Sequence, residues 1–70
     1  MSWMKSVFSS MASEVGWDDE TNEVIVVWPN GKTSAYGPAT EDVAVSVANA
    51  PSVGQAINSE LKGQYGHRYR

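Results

Sequence analysis

Cysteine is absent from this chain of 70 residues. Its absence excludes disulfides, thiolate metal sites and thiol nucleophiles together. Histidine occurs once, as His67. A Ser-His-acid triad would therefore have to recruit a residue from what reads as a frayed end of the chain. No apolar run approaches the ~20 residues of a membrane span. The segment Met1 to Phe8 also lacks the continuous apolar stretch of a secretion signal. These absences set the expectation of a cytoplasmic protein with no membrane partner. Positive charge is scarce as well: five Lys and Arg stand against eight Asp and Glu, a net charge of −3. Generic nucleic-acid binding draws on neutralised phosphates, so this balance disfavours it. The charges are segregated, with Glu14, Asp18, Asp19, Glu20 and Glu23 early and Lys62, His67, Arg68 and Arg70 late.

Length adds a physical constraint. A chain this short buries only about 60% of the surface its unfolded form exposes. A single core of that size supplies roughly 3–5 kcal/mol, so small domains lean on a staple. With no disulfide and no metal site, oligomerisation is the staple that remains. Self-association is expected on that ground.

The clearest local signal is Glu23-Val24-Ile25-Val26-Val27-Trp28, a β-branched and aromatic run followed by Pro29-Asn30-Gly31-Lys32. Asn-Gly between extended segments predicts a type I′ hairpin, with positive φ at both Asn30 and Gly31. The returning strand is Thr33 to Tyr36, stopped by Gly37 and Pro38. Upstream, Met11, Val15 and Trp17 fit a half-buried strand that turns at Asp18 to Asn22. The result is a three-stranded antiparallel meander. Two helices follow. Thr40 caps the first, with Glu41 and Asp42 in its first turn, and Val43, Val47 and Ala50 on its apolar side. Pro51 ends it. Ser52 starts the second, with Gln55 in the capping-box relation. Val53, Ala56, Ile57 and Leu61 make its buried stripe, and Gly63 is its stop. The fold class is α+β, a meander followed by two helices, and Trp28 and Leu61 are expected in its core.

Residues 1–10 read as an N-terminal arm or short amphipathic helix, because Trp3, Met4, Val7, Phe8 and Met11 fall on one helical face. Residues 66–70 read as a flexible basic tail. The central strand does not alternate apolar and polar, so Ile25 and Val27 call for cover on the second sheet face. The arm or a second subunit would supply it. Trp3, Phe8, Ile25 and Val27 are the candidate oligomer interface.

Catalytic patterns are scarce. Asp18 and Asp19 are adjacent turn formers, and the acidic turn lacks the spacing and central glycine of a Ca²⁺ loop. No metal, cofactor or enzymatic activity is expected. Binding has more to work with. Ser52, Gln55, Asn58 and Lys62 line the polar flank of the second helix, with Tyr65 beyond it. The helix start near Ser52 offers free amides to an anion. Lys62, Tyr65, His67, Arg68 and Tyr69 combine aromatic and basic groups, the set that stacks bases and holds phosphates.

Taken together, Ser9-Ser10, Gly16-Trp17-Asp18, Asn30-Gly31, Tyr36, Ala50-Pro51-Ser52-Val53-Gly54, Asn58, Leu61-Lys62-Gly63 and Tyr65 resemble the KTSC domain. That small family is named for its occurrence at the C-terminus of some lysyl-tRNA synthetases, and it also stands alone in bacterial and phage proteins. The resemblance spans about residues 5 to 67, so residues 1–70 are read as one KTSC-like domain. It places Tyr36 among the candidate site residues. The family's Tyr-x-Tyr pair is reduced here to Tyr36, with Ser34 in the first place. The aromatic pair before the Asn is Ala56-Ile57, and Thr40 stands where a proline is usual. The resemblance implies no settled role, RNA binding being a suggestion for the family. The expected function is a non-catalytic, self-associating module for a protein or small anionic ligand. The alternative is an RNA- or single-strand-binding module. Third in order is a phage-type accessory protein that sequesters a nucleotide or blocks a host factor.

Overall fold

The run Val24-Ile25-Val26-Val27 forms the middle of a five-stranded antiparallel sheet in a computed structural model that describes all 70 residues. The strands are β1 (Trp3–Ser6), β2 (Glu14–Asp18), β3 (Glu23–Val27), β4 (Thr33–Gly37) and β5 (Gly66–Tyr69). They lie in sequence order across the sheet, each antiparallel to the next. Between β4 and β5 the chain forms α1 (Glu41–Ala48) and α2 (Val53–Ala56), the latter widening into a π-helical turn over Ile57–Leu61. The class is α+β, as expected, but with five strands where three were expected. No helix is long and apolar enough to cross a membrane.

Both added strands correct the sequence reading. The N-terminal arm is a strand, with Trp3 opposite Trp17 and Lys5 opposite Val15. Its close approach depends on Gly16, where a Cβ would collide with the Trp3 carbonyl and the Met4 side chain. The basic tail is also a strand, pairing His67 with Tyr36 and Tyr69 with Ser34.

The β3–β4 loop differs from expectation too. Gly31 has φ +88°, but Asn30 is not among the residues with positive φ. Pro29 accounts for this, because its fixed φ near −65° suits the first central position of a type I turn. Gly31 N–H then donates to the Trp28 carbonyl (3.0 Å) and Trp28 N–H to that of Lys32 (2.8 Å). The loop is therefore three residues long, with the left-handed position falling on glycine alone. Asn30 contributes through its side chain, accepting from Lys32 N–H at 2.9 Å.

The helices cover one sheet face, where Val15, Trp17, Val24, Val26 and Tyr36 meet Ala44, Val47, Val53, Ile57 and Leu61. Small α1 residues let that helix sit close over β2 and β3. Ser52 Oγ caps α2 by accepting from Gln55 N–H (3.4 Å). Thr40 occupies the N-cap position of α1 but its side chain makes no cap bond. Leu61 is fully buried as expected, whereas Trp28 is only half-buried at the core's margin.

Candidate ligand-binding cleft

Because α1 lies over β2 and β3, the helix-side residues of β4 and β5 extend beyond its cover. There Ser34, Tyr36, His67 and Tyr69 share one face, as the pairing of β4 with β5 requires. The turn after α2 closes the opposite side. Lys62 N–H donates to the Ile57 carbonyl at 3.0 Å, which completes the widened turn. Single π-helical turns are frequent at functional sites, and this one is followed directly by the chain that leaves the helix. Here that chain carries Lys62, Gly63 and Tyr65 to the rim of a cleft of about 630 Å³, which Trp28, Asn30 and Lys32 also line.

The cleft floor is a hydrogen-bonded network. Ser34 is fully buried, and its Oγ accepts from Trp28 Nε1 at 2.7 Å. The same oxygen lies 2.8 Å from His67 Nε2. The His67 ring is 4.9 Å from that of Tyr36 and 4.7 Å, edge-on, from that of Tyr69. Burial, followed by the nearby Tyr69, pushes the Tyr36 phenol above its ordinary range. The Lys62 ammonium sits 5.5 Å from the centre of the Trp28 ring, within cation–π range.

The other sheet face handles charge differently. Arg68 Nη2 and Nε meet the two Glu23 carboxylate oxygens at 2.7 and 2.9 Å, a bidentate geometry among the stronger polar contacts. Arg70 pairs with Asp18 at 2.9 Å. Hydrogen bonds from Arg68 hold the Glu23 carboxyl below its usual range. The Glu20 backbone N–H and then Arg70 do the same for Asp18. Lys5 is engaged with Asn49. Three of the five Lys and Arg, Lys5, Lys32 and Lys62, thus have no carboxylate partner, and of these Lys32 and Lys62 also have no side-chain hydrogen bond. Both line the cleft, and no acidic residue does.

Of the ligand-site residues expected from sequence, the structure gathers Tyr36, Lys62 and Tyr65 in the cleft, together with His67 and Tyr69 from the nucleic-acid set. Arg68 lies on the opposite face. Ser52 is occupied as a cap, Gln55 is exposed on α2, and Asn58 reaches the cleft only through a 3.9 Å contact with the Met11 sulfur. Sequence reasoning missed Trp28, Ser34, Lys32 and Met11 as lining residues. Trp28 carried a signal, since an indole following a strand and preceding Pro-Asn-Gly sits at a sheet end, where its N–H needs a partner. Among the candidate oligomer residues, Ile25 is 6% exposed, Trp3 and Val27 are half-buried, and Phe8 is wholly exposed. Trp3 Nε1 donates to Glu41 at 2.7 Å.

Comparison with known proteins bears on the fold and the family. No curated protein matches the chain significantly. A crystal structure of a KTSC domain protein from Yersinia pestis superposes with a TM-score of 0.87 at 20% identity, covering 100% of this chain and 99% of that one. At that identity the likeness shows a shared fold. The family model of the KTSC domain matches residues 8–65, which include β2 to β4, both helices and the turn bearing Lys62 and Tyr65. The chain belongs to the KTSC domain family.

Proposed function

We propose that the protein is a non-catalytic binding module whose small anionic ligand enters the aromatic, basic cleft. One observation carries this reading: of the three lysines, none with a carboxylate partner, the two that also lack an amide partner share that cleft, and no acid lines it. A lysine close to an acid would spend its field on that acid. These two are available to a ligand. Ligand clefts commonly run from roughly 300 to 1,000 Å³, and this one, at about 630 Å³, has the size for a small molecule.

The non-catalytic part rests on access. Ser34 and His67 have the spacing of a nucleophile and its base, but Ser34 is at 0% exposure and its oxygen already accepts from Trp28. No carboxylate lines the cleft to orient the imidazole. A chain that holds an anion without converting it acts as a sensor, carrier or sequestering protein. The single-strand reading draws on the same aromatic set, but the chain's net charge of −3 weakens long-range attraction to a polyanion. Self-association has less to draw on than the sequence suggests, because Ile25 is buried within the monomer and Trp3 is engaged with Glu41.

Calorimetric titration with phosphate, pyrophosphate and phosphorylated metabolites checks the reading. Saturable binding of at least one phosphorylated compound is expected, lost in the Lys32→Gln, Lys62→Gln double variant. Binding that survives the double substitution would move the site elsewhere.

A further inference from the structure

We infer that the ligand of this cleft is a nucleoside phosphate, its base stacked on the cleft's rings and its phosphate held by Lys32 and Lys62. The inference rests on the proposed anion-binding reading and names its chemical class.

Two kinds of group converge here, and a simple anion site needs only one of them. Lysine ammonium groups alone suffice for phosphate, as compact point charges. This cleft adds the rings of Trp28, Tyr36, Tyr65, His67 and Tyr69. Tyr36 is buried at the floor. Tyr69 is 68% exposed. Tyr65 is half-buried and His67 is exposed. Several ring surfaces thus remain open to a flat partner beside two free cations. Bases stack on such rings whatever their identity, since every base has a π-face.

The floor supplies a polar edge as well. Trp28 Nε1 can only donate, and it is used by Ser34. His67 Nε2 is engaged by the same hydroxyl. The other imidazole nitrogen, Nδ1, has no protein partner among the side-chain hydrogen bonds. It is available to the polar edge of a base. The ring and phosphate chemistry is shared by a free nucleotide and by one nucleotide of a single strand, so the test needs both.

The experiment titrates the full chain with a nucleoside 5′-monophosphate, ribose 5-phosphate, the unphosphorylated nucleoside and a single-stranded tetranucleotide. Amide NMR spectra confirm the fold of each variant. The monophosphate is expected to bind at least roughly ten-fold tighter than ribose 5-phosphate, a ratio set by one stacked base. Tyr65→Leu should remove most of that ratio while leaving ribose 5-phosphate binding unchanged. Lys62→Gln should weaken both phosphates. Equal binding of monophosphate and tetranucleotide assigns a free nucleotide, and much tighter tetranucleotide binding assigns a strand; each supports the inferred chemistry. Equal binding of ribose 5-phosphate and monophosphate would overturn the inference while leaving the anion site standing. Failure of every phosphorylated compound to bind would overturn both.

Discussion

The two faces of the sheet use their cations in opposite ways. On the face away from the helices, Arg68 and Arg70 are matched one to one with Glu23 and Asp18. On the helix side, Lys32 and Lys62 border a ring-lined cleft with no carboxylate in it. One strand feeds both faces, because successive β5 residues point alternately. His67 and Tyr69 go to the cleft, and Arg68 goes to the ion pair. In a chain with more acid than base, two cations grouped away from any carboxylate are the ground for the proposed ligand site. The paired ones link β5 and the residue after it to β3 and β2 across the other face.

If β5 joins the two faces, removing it should damage both. Truncation after Tyr65 exposes Ser34, Ala35 and Tyr36, all buried in the intact sheet. It also removes the Glu23–Arg68 pair. Loss of a cooperative thermal transition is expected, the largest effect among these tests. A truncated chain that melts like the parent would reduce β5 to a dispensable tail.

Leu61→Ala strikes the layer between the faces. The side chain is fully buried against the sheet, and such truncations cost about 2–5 kcal/mol. For a domain of this size that is most of its stability. Chemical denaturation of the variant should give a mostly unfolded baseline without denaturant.

Gly31→Val perturbs the loop at the cleft mouth. Nothing lies within 4 Å of a Cβ at that position, so the cost comes from backbone conformation alone. At φ +88° it should be about 1–2 kcal/mol. A smaller loss by denaturant titration would mean that the loop relaxes to another turn.

Breaking the ion-paired face should have the smallest effect, and it sharpens the comparison most. The Glu23 pKa is lowered from 4.5, so the folded state binds fewer protons there than the unfolded one. Its contribution is present above pH 4.5 and is lost as pH falls from there through the lowered folded value. Glu23→Gln should cost about 1 kcal/mol at neutral pH, since Arg68 is half exposed to solvent. It should also flatten the decline in stability below pH 4.5. Ligand binding should be unchanged. Weakened binding in this variant would couple the faces that the account separates.

The meander from β2 to β4 and both helices were legible in the sequence, because each has an apolar pattern at its own period. The outer strands were not. In β1, Trp3 turns toward the helices and Met4 away. Four residues are too few for a two-residue period to stand out against the helical spacing of Trp3, Val7 and Met11. In β5, Gly-His-Arg-Tyr has no apolar face, because one side lines the cleft and the other forms ion pairs. Hydrophobic periodicity is blind to a strand of that kind. The cleft was half legible for the same reason. Lys62 and Tyr65 stood out as a basic and aromatic pair, while Ser34 looked like an ordinary strand residue until β5 placed His67 against it.

The most direct test maps a bound nucleoside monophosphate by NMR. The indole N–H of Trp28 reports from the cleft floor, whereas that of Trp3 is held by Glu41 at the opposite edge of the sheet. Shifts are expected at the Trp28 indole, Ser34, Lys62, Tyr65 and His67, with Met4, Ile25 and Val27 unmoved. Shifts centred on Met4, Ile25 and Val27 would place the ligand on the ion-paired face and contradict the account.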